Sequence, residues 1–369
     1  MKKVVIVGAG VVGLVLAKEL CRLGHYVTVY DAKNDIKEGS AKASGILSKE
    51  GLATIGVNYK SAVVNTLDGA VLHAGKELLK IKAADTKAYI LDRGKLVEEC
   101  LSEARSAGAD VVLGKSVQRE DIRLMKNDSD TVLVGADGSV SNVASTCGFP
   151  QIKEYILTYK AEYNGARLDD PHSVDLFFSN KVSNRFFGWT APYSKSLVEA
   201  GIGISSFARS SSSSAFKQFL KNETLHRMLD GANPVSGHAS MIPVSTRKRT
   251  VKDNVLLVGD AAGQVKATTG GGIIFGASCA RIAAGAIDDH IRNGKPLERY
   301  EKAWRKAYGL DLTMHKMIHG YYASLGSRSL DMLFMFSKLF GAESFFSKYG
   351  DMDRPTIMIK RFFLRGISG

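Results

Sequence analysis

VVIVGAGVVGLVLAKELCRLGHYVTVYD, residues 4–31, carries the pattern that decides the fold. An apolar run enters a glycine turn, VVGLVLAKELCRLG repeats apolar residues at helical spacing, and HYVTVYD reads as a second strand ending in an acid. This is a βαβ unit. Gly8, Gly10 and Gly13 form G-x-G-x-x-G between its first strand and its helix. The first glycine permits the tight turn, the second lets the backbone approach a pyrophosphate, and the third allows helix and strand to pack closely. The helix N-terminus offers free N–H groups to phosphate. Asp31 stands where an acid accepts hydrogen bonds from ribose hydroxyls, which argues against a 2′-phosphorylated cofactor. The pattern fits a dinucleotide and does not by itself separate nicotinamide from flavin.

A second glycine-rich helix start, GDAAGQVKATTGGGI at residues 259–273, favours flavin. A nicotinamide dehydrogenase completes its site within one contiguous domain, whereas here an apolar strand, DNVLLVGD, returns far down the chain. Its terminal Asp260 belongs at the carboxyl edge of the sheet, where α/β proteins place ligands and where it can bind ribityl hydroxyls. The helix beginning near Gly270 points its N–H groups and positive dipole end at the ligand, which suits the negative charge of a reduced flavin ring. Between the two glycine starts lies ADG (136–138), which resembles the DG motif of flavoproteins. An Asp-Gly turn alone says little; the three motifs in this order say much more.

Working outward, the segment 151–249 changes character. EYILTYKAEY, SVDLFFS, NRFFGWTAP and LVEAGIGISSF are short runs rich in β-branched and aromatic residues, expected of an antiparallel sheet. The serine run at 210–214 leading into AFKQFLKN reads as a turn and helix cap. The fold expected is therefore α/β. A Rossmann-like FAD-binding domain, discontinuous in sequence (1–150 and 250–295), contains a parallel sheet. An inserted antiparallel-sheet substrate domain spans 151–249, with 55–90 contributing to it, and a helical segment follows at 296–369. That last segment ends RPTIMIKRFFLRGISG, where Lys and Arg interleave with apolar residues. An amphipathic surface for peripheral membrane contact is one reading of it, and a packing C-terminal helix with a frayed basic end is the other.

The formal net charge of +13 over 369 residues favours anionic partners, but it is spread along the chain, which counts against nucleic acid. No apolar run is long enough to span a bilayer, and MKKVVIV leaves no room for a secretory leader, so a cytoplasmic protein is expected. Cys21, Cys100, Cys147 and Cys279 make no paired motif, so neither a metal site nor a disulfide framework is expected.

Taken together, ASGILSKEGLATIGV (43–57), TKAYILDRGKLVEECL (86–101), VLVGADGSVSNVA, EAGIGISS (199–206) and VLLVGDAAGQVKATTGGGIIFGA resemble the archaeal geranylgeranyl reductase family, within the group A flavoprotein monooxygenase-like proteins. The resemblance covers roughly the first 295 residues, and KATTGGGI is its most specific part. It implies an FAD enzyme that saturates isoprenoid double bonds of archaeal membrane-lipid precursors or of a prenylated quinone. NAD(P)H or ferredoxin is expected as electron donor, ferredoxin on the ground of the +13 charge. The resemblance also implies cofactor contacts at Val12, Asp31, Ala43, Ser44, Gly45, Arg93, Val117, Asp260, Gly272 and Ile273, besides the glycines of the fingerprint. Arg93 suits a pyrophosphate. The family's Y-x-W-x-F-P substrate motif is present in part as FGWTAP, giving Phe187, Trp189 and Pro192 as substrate contacts and Ala191 where the family has phenylalanine. Members often carry a cysteine in the segment matching ASGILS; this chain has Ala43 and Ser44 and no cysteine. No catalytic residue is assigned. A flavin monooxygenase on an apolar substrate shares all three motifs and is the alternative; a non-enzymatic prenyl carrier retaining FAD is a further one.

Overall fold

Alternation in the first strand sets the layers. Val4 and Ile6 point to one core and Val5 and Val7 to another, so β1 (Lys3–Val7) is buried on both faces, as a central parallel strand must be. The computed structural model describes residues 2–179 and 182–365, apart from the side chains of Ala41 and of residues 361–365. In it β1 lies between β9 (Thr131–Gly135) and β2 (Val27–Tyr30), with β8 (Asp110–Val112) outside β2 and β16 (Val255–Leu257) outside β9. All these pairs are parallel; β15 (Val251–Lys252) adds one antiparallel edge. The late strand thus sits two places from the first, and both glycine starts emerge at the same edge.

Helices α1 (Val11–Arg22), α3 (Arg93–Ser106) and α8 (Ile273–Asn293) contribute to the core that includes Val4 and Ile6. The opposite face is covered by α4 (Arg119–Asn127) and α5 (Asn142–Thr146). Close approach of α1 and α8 depends on Gly276, where a Cβ would lie 2.7 Å from the Val12 side chain and 3.1 Å from the Gly259 backbone.

A seven-stranded sheet forms the other half. Its order is β14 (Asn233–Pro243), β10 (Tyr155–Asn164), β13 (Leu197–Ser205), β12 (Gly188–Pro192), β11 (Ser173–Phe178), β5 (Gly69–Ala74), β6 (Glu77–Lys82). The purely antiparallel sheet expected is corrected in one place: β11 and β5 run parallel, because β5 arrives from the earlier segment and docks beside the inserted strands. β3 (Ile46–Ser48), β7 (Ala88–Leu91) and β4 (Val63–Leu67) make a small antiparallel sheet, with α2 (Lys49–Thr54) following β3. The outer face of the large sheet carries α6 (Ser212–Phe219) and α7 (Glu223–Leu229). Ser211 caps α6 by accepting from the Ser214 amide, as the serine run suggested.

The C-terminal segment forms α9 (Glu298–Trp304), α10 (Leu310–Ser324), α11 (Ser327–Leu339), α12 (Ala342–Tyr349) and α13 (Pro355–Arg365). It is pinned to the second glycine start. Tyr300, fully buried, donates to Leu257 O (3.0 Å) and accepts from Gln264 Nε2 (2.8 Å), while Gln264 Oε1 accepts from the Gly259 amide (2.9 Å).

Candidate active site

The three motifs meet. Gly8, at φ +110°, lies so close to the ADG segment that a Cβ would stand 2.3 Å from Ala136 O; at Gly13 it would stand 2.1 Å from Gly8 O. Gly10 differs: a Cβ there meets no protein atom within 4 Å, so the space above it is open. Val12, on the first turn of α1, packs against Gly259 of the second start. Gly272 precedes Ile273, the first residue of α8, and sits so near Asp260 that a Cβ would lie 2.5 Å from its carboxylate. Ser139, just past ADG, donates to Asp260 (3.3 Å). Burial pushes the Asp260 carboxyl above its ordinary range, with the Ser139 bond and the Arg93 charge opposing.

Both helix starts leave their first amides without a side-chain cap, α1 at Gly10 and α8 at Gly272. Uncapped amides at a helix N-terminus are an anion site. Arg93 begins α3 close enough to Asp260 for their charges to interact, and its Nε is buried without a hydrogen-bond partner. A guanidinium N–H kept from water needs an acceptor. Open space at Gly10, two uncapped helix starts and an arginine Nε without a partner together fit a bound dinucleotide, its diphosphate at α1 and its flavin ring at α8.

Other sequence-expected residues fall into place unevenly. Asp31 accepts from the Ala9 amide (2.7 Å) and the Lys33 amide (3.0 Å), so its first task is to hold the glycine turn; each carboxylate oxygen keeps a further lone pair for a ribose. Asp137 of the ADG motif turns inward, accepting from Ser141 Oγ (2.6 Å) and the Val143 amide (3.0 Å) at the start of α5. Val117 is buried among Val5, Val7 and Ile122 on the sheet face opposite α1, so its side chain is not brought to the site.

Ala43, Ser44 and Gly45 form a loop at the junction of the two halves. A Cβ on Gly45 would meet Leu91 O at 2.1 Å, which presses the loop onto β7. Facing it, Phe187 and Trp189 lie beside and on β12, in an aromatic wall joined by Phe178, Phe186 and, from the C-terminal helices, Tyr322 and Phe334. Pro192, the third expected substrate contact, alternates to the opposite face of the sheet, where it pairs with Val198 of the α6 side, so its side chain is not brought to the wall. The glycines of EAGIG have a physical role here: a Cβ on Gly201 would overlap the Trp189 indole, and one on Gly203 would overlap the Phe186 ring. C-terminal helices α10 and α11 thus close the substrate side, a contribution the sequence did not reveal.

Sequence reading also missed the polar centre between loop and wall. Glu199, fully buried, accepts from Ser44 Oγ, from Trp189 Nε1 (2.8 Å), from Lys160 Nζ (2.5 Å) and from Tyr193 OH (3.3 Å). A signal was available. In β10 the alternation Ile156, Thr158, Lys160 puts a lysine on an inward face, and an inward charge demands a partner.

A family model described as lycopene cyclase protein matches residues 3–368. The chain belongs to the lycopene cyclase protein family. It is similar to digeranylgeranylglycerophospholipid reductase 2 of Methanothermobacter thermautotrophicus, at 29% identity over 89% of this chain and 90% of that protein. Its fold matches a geranylgeranyl bacteriochlorophyll reductase-like protein from Thermoplasma acidophilum, with a TM-score of 0.81 at 19% identity over 97% and 95% of the two chains. A halogenase solved in complex with FAD has the same fold, with a TM-score of 0.67 at 13% identity, covering 94% of this chain and 85% of that one. The resemblance to the archaeal reductases and the α/β fold expected of a flavoprotein are borne out, and the relatives named here extend it well beyond residue 295.

Proposed function

We propose that this protein is an FAD-dependent reductase that saturates isoprenoid double bonds, in archaeal membrane-lipid precursors or in a prenylated quinone. The observation that carries the reading is the junction itself, where a cradle shaped for a dinucleotide meets an aromatic wall at a single loop, residues 43–45. When bound, FAD supplies a hydride. The chain supplies everything else: amides at Gly10 and the Arg93 guanidinium for the diphosphate, amides at Gly272 for the flavin ring, Asp31 and Asp260 for hydroxyls, and Phe187 and Trp189 for the apolar chain. The test is anaerobic. Protein loaded with FAD and reduced should convert a geranylgeranylated glycerolipid to species gaining two hydrogens per saturated bond, read by mass spectrometry. An unchanged lipid, or an oxygenated product formed only in air, would replace reductase with monooxygenase.

The lipid reading extends to a surface. Among the described residues no helix is long and apolar enough to cross a membrane. Yet α10 and α11 expose Met317 (68%), Tyr321 (58%), Leu339 (73%) and Phe340 just beyond α11 (86%), alongside Lys316 and Lys338. An apolar patch rimmed by cations suits the face of an anionic bilayer. The terminal stretch that suggested membrane contact from sequence lies in α13, and its side chains beyond Lys360 fall outside the described residues. Leu339→Ser with Phe340→Ser should weaken binding to phosphatidylglycerol vesicles by roughly tenfold or more, given the area each side chain would bury. Cosedimentation equal to that of the unaltered protein would remove this surface from consideration.

A further inference from the structure

The polar centre at Glu199 is costly. A carboxylate and an ammonium, 0% and 2% exposed, sit on the inner face of a sheet where apolar residues of similar size would hold the strands at least as well. Stability does not account for it. Its connections point elsewhere: Lys160 also donates to Ala43 O (3.3 Å), Tyr193 OH accepts from the Gly45 amide (3.2 Å), and Glu199 takes the Ser44 hydroxyl, so every member is tied to the loop at 43–45. One end of the set is sealed in the sheet. The other, Ser44, is only half-buried next to exposed Ala43, on the loop that faces both the cofactor cradle and the aromatic wall. Saturating an alkene needs a proton as well as a hydride. The other charged or titratable groups near the loop are Arg93, which gives up no proton, Asp260, bonded to Ser139 on the far side of the cradle, and Tyr193 and Glu162, which bear on the cluster from its flank.

We propose that Ser44, Glu199 and Lys160 form the proton relay of the reduction, with Ser44 the group that touches substrate and the other two acting through it. The inference rests on the reading of the site as an alkene reductase. When bound, FAD would supply the hydride to one alkene carbon as the π bond breaks. The Lys160 ammonium first passes a proton to the Glu199 carboxylate, making it a carboxylic acid; Ser44 then turns from donor to acceptor, taking that proton from Glu199 as its own hydroxyl proton goes to the second carbon. Lys160 is left a neutral amine and regains its proton from solvent after product leaves. Because the two transfers at Ser44 run together, serine never becomes a free alkoxide, so its weak acidity is no barrier. Tyr193 fixes the carboxylate against the Gly45 amide and is a positioning residue.

Single-turnover saturation by the FAD-loaded, pre-reduced protein tests this, together with flavin affinity by absorbance titration. Ser44→Ala should slow saturation by about 100-fold, the lower end of what general acid catalysis supplies, while flavin affinity stays within about twofold. Its solvent deuterium isotope effect should grow, since water now delivers the proton. Ser44→Thr, which keeps a hydroxyl, should recover most of the rate. Glu199→Gln should slow turnover as much as Ser44→Ala; if losing the partner of Lys160 unfolds it, the Ser44 pair still decides. Saturation by Ser44→Ala at the unaltered rate and isotope effect overturns the relay. So does a flavin affinity at least about tenfold weaker in Ser44→Ala, which would assign the cluster to seating the cofactor. An unaltered protein that leaves the alkene intact overturns the relay and the reductase reading together, and is told apart because no variant is then needed to see it.

Discussion

Lys266→Met should destabilise the protein by about 3–5 kcal/mol, the cost of leaving a buried carboxylate without its cation. Lys266 and Asp353 are each 5% exposed and 2.6 Å apart, with Ser48 donating to the same carboxylate and Met352 O accepting from Lys266 at 3.2 Å. His315 completes the lock, held by Thr268 at 2.7 Å and by Asp353 O at 3.1 Å. Four distant parts of the chain are joined here: the KATTGGGI loop, the start of α2, helix α10 and the segment entering α13. The melting temperature should fall by roughly 5 °C, taking about 1.3 °C per kcal/mol from an unfolding entropy of about 2.1 cal/mol/K per residue over 369 residues. Lys266→Met with Asp353→Leu should recover most of the loss, since a packed apolar pair removes the stranded charge. A single variant melting beside the unaltered protein would show that the lock is not structural. Acid should open it too. Burial raises the Asp353 carboxyl, but the Lys266 charge and the bonds from Lys266 and Ser48 win, holding it below its ordinary range. Its contribution is therefore present at neutral pH and is lost only as pH falls through that lowered value. His315 acts earlier. Burial pushes it down to about 4, so between about 6.5 and 4 the unfolded chain binds a proton that the folded chain refuses. From pH 7 to 5 this costs about 2 kcal/mol, and His315→Gln should flatten that slope in thermal melts.

The βαβ unit was readable because each of its signals is local: strand alternation, glycine offsets and helical spacing all fall within residues 4–31. GDAAG and ADG were readable as motifs, and Asp137 of ADG supports the start of α5 by accepting from the Val143 amide. What stayed hidden depends on contacts across long separations. Glu199 meets Ser44 across 155 residues and Lys160 across 39, and Lys266 meets Asp353 across 87. None of these three pairs carries a local pattern that names its partner. The inward lysine in β10 announced that a partner existed, without saying which. The parallel β11–β5 pair was hidden for the same reason, since register between distant strands is set by tertiary packing. Arg93 was chosen from sequence by resemblance alone; its unpartnered Nε now gives that choice a physical ground.

Gly10→Ala should give a protein that folds normally and no longer holds flavin well. The three glycines of the fingerprint separate by what a methyl group would strike. At Gly8 and Gly13 it strikes backbone, 2.3 Å and 2.1 Å away, so alanine there would disrupt the turn and flavin binding together, and the loss would say nothing about the ligand. At Gly10 it strikes nothing, and φ of −74° suits any residue. Alanine should therefore leave the melting temperature of the flavin-free protein within a degree or two, which is about 1 kcal/mol for 369 residues. The methyl would instead project into the open space beside the uncapped start of α1, where a diphosphate must approach the amides closely. Affinity for FAD should drop by at least about tenfold, equivalent to 1.4 kcal/mol. Calorimetric titration of FAD into the two proteins measures this directly. Equal affinity would mean that the space above Gly10 is not where the diphosphate lies, and the cradle formed by Gly10, Gly272 and Arg93 would have to be assigned to a different ligand.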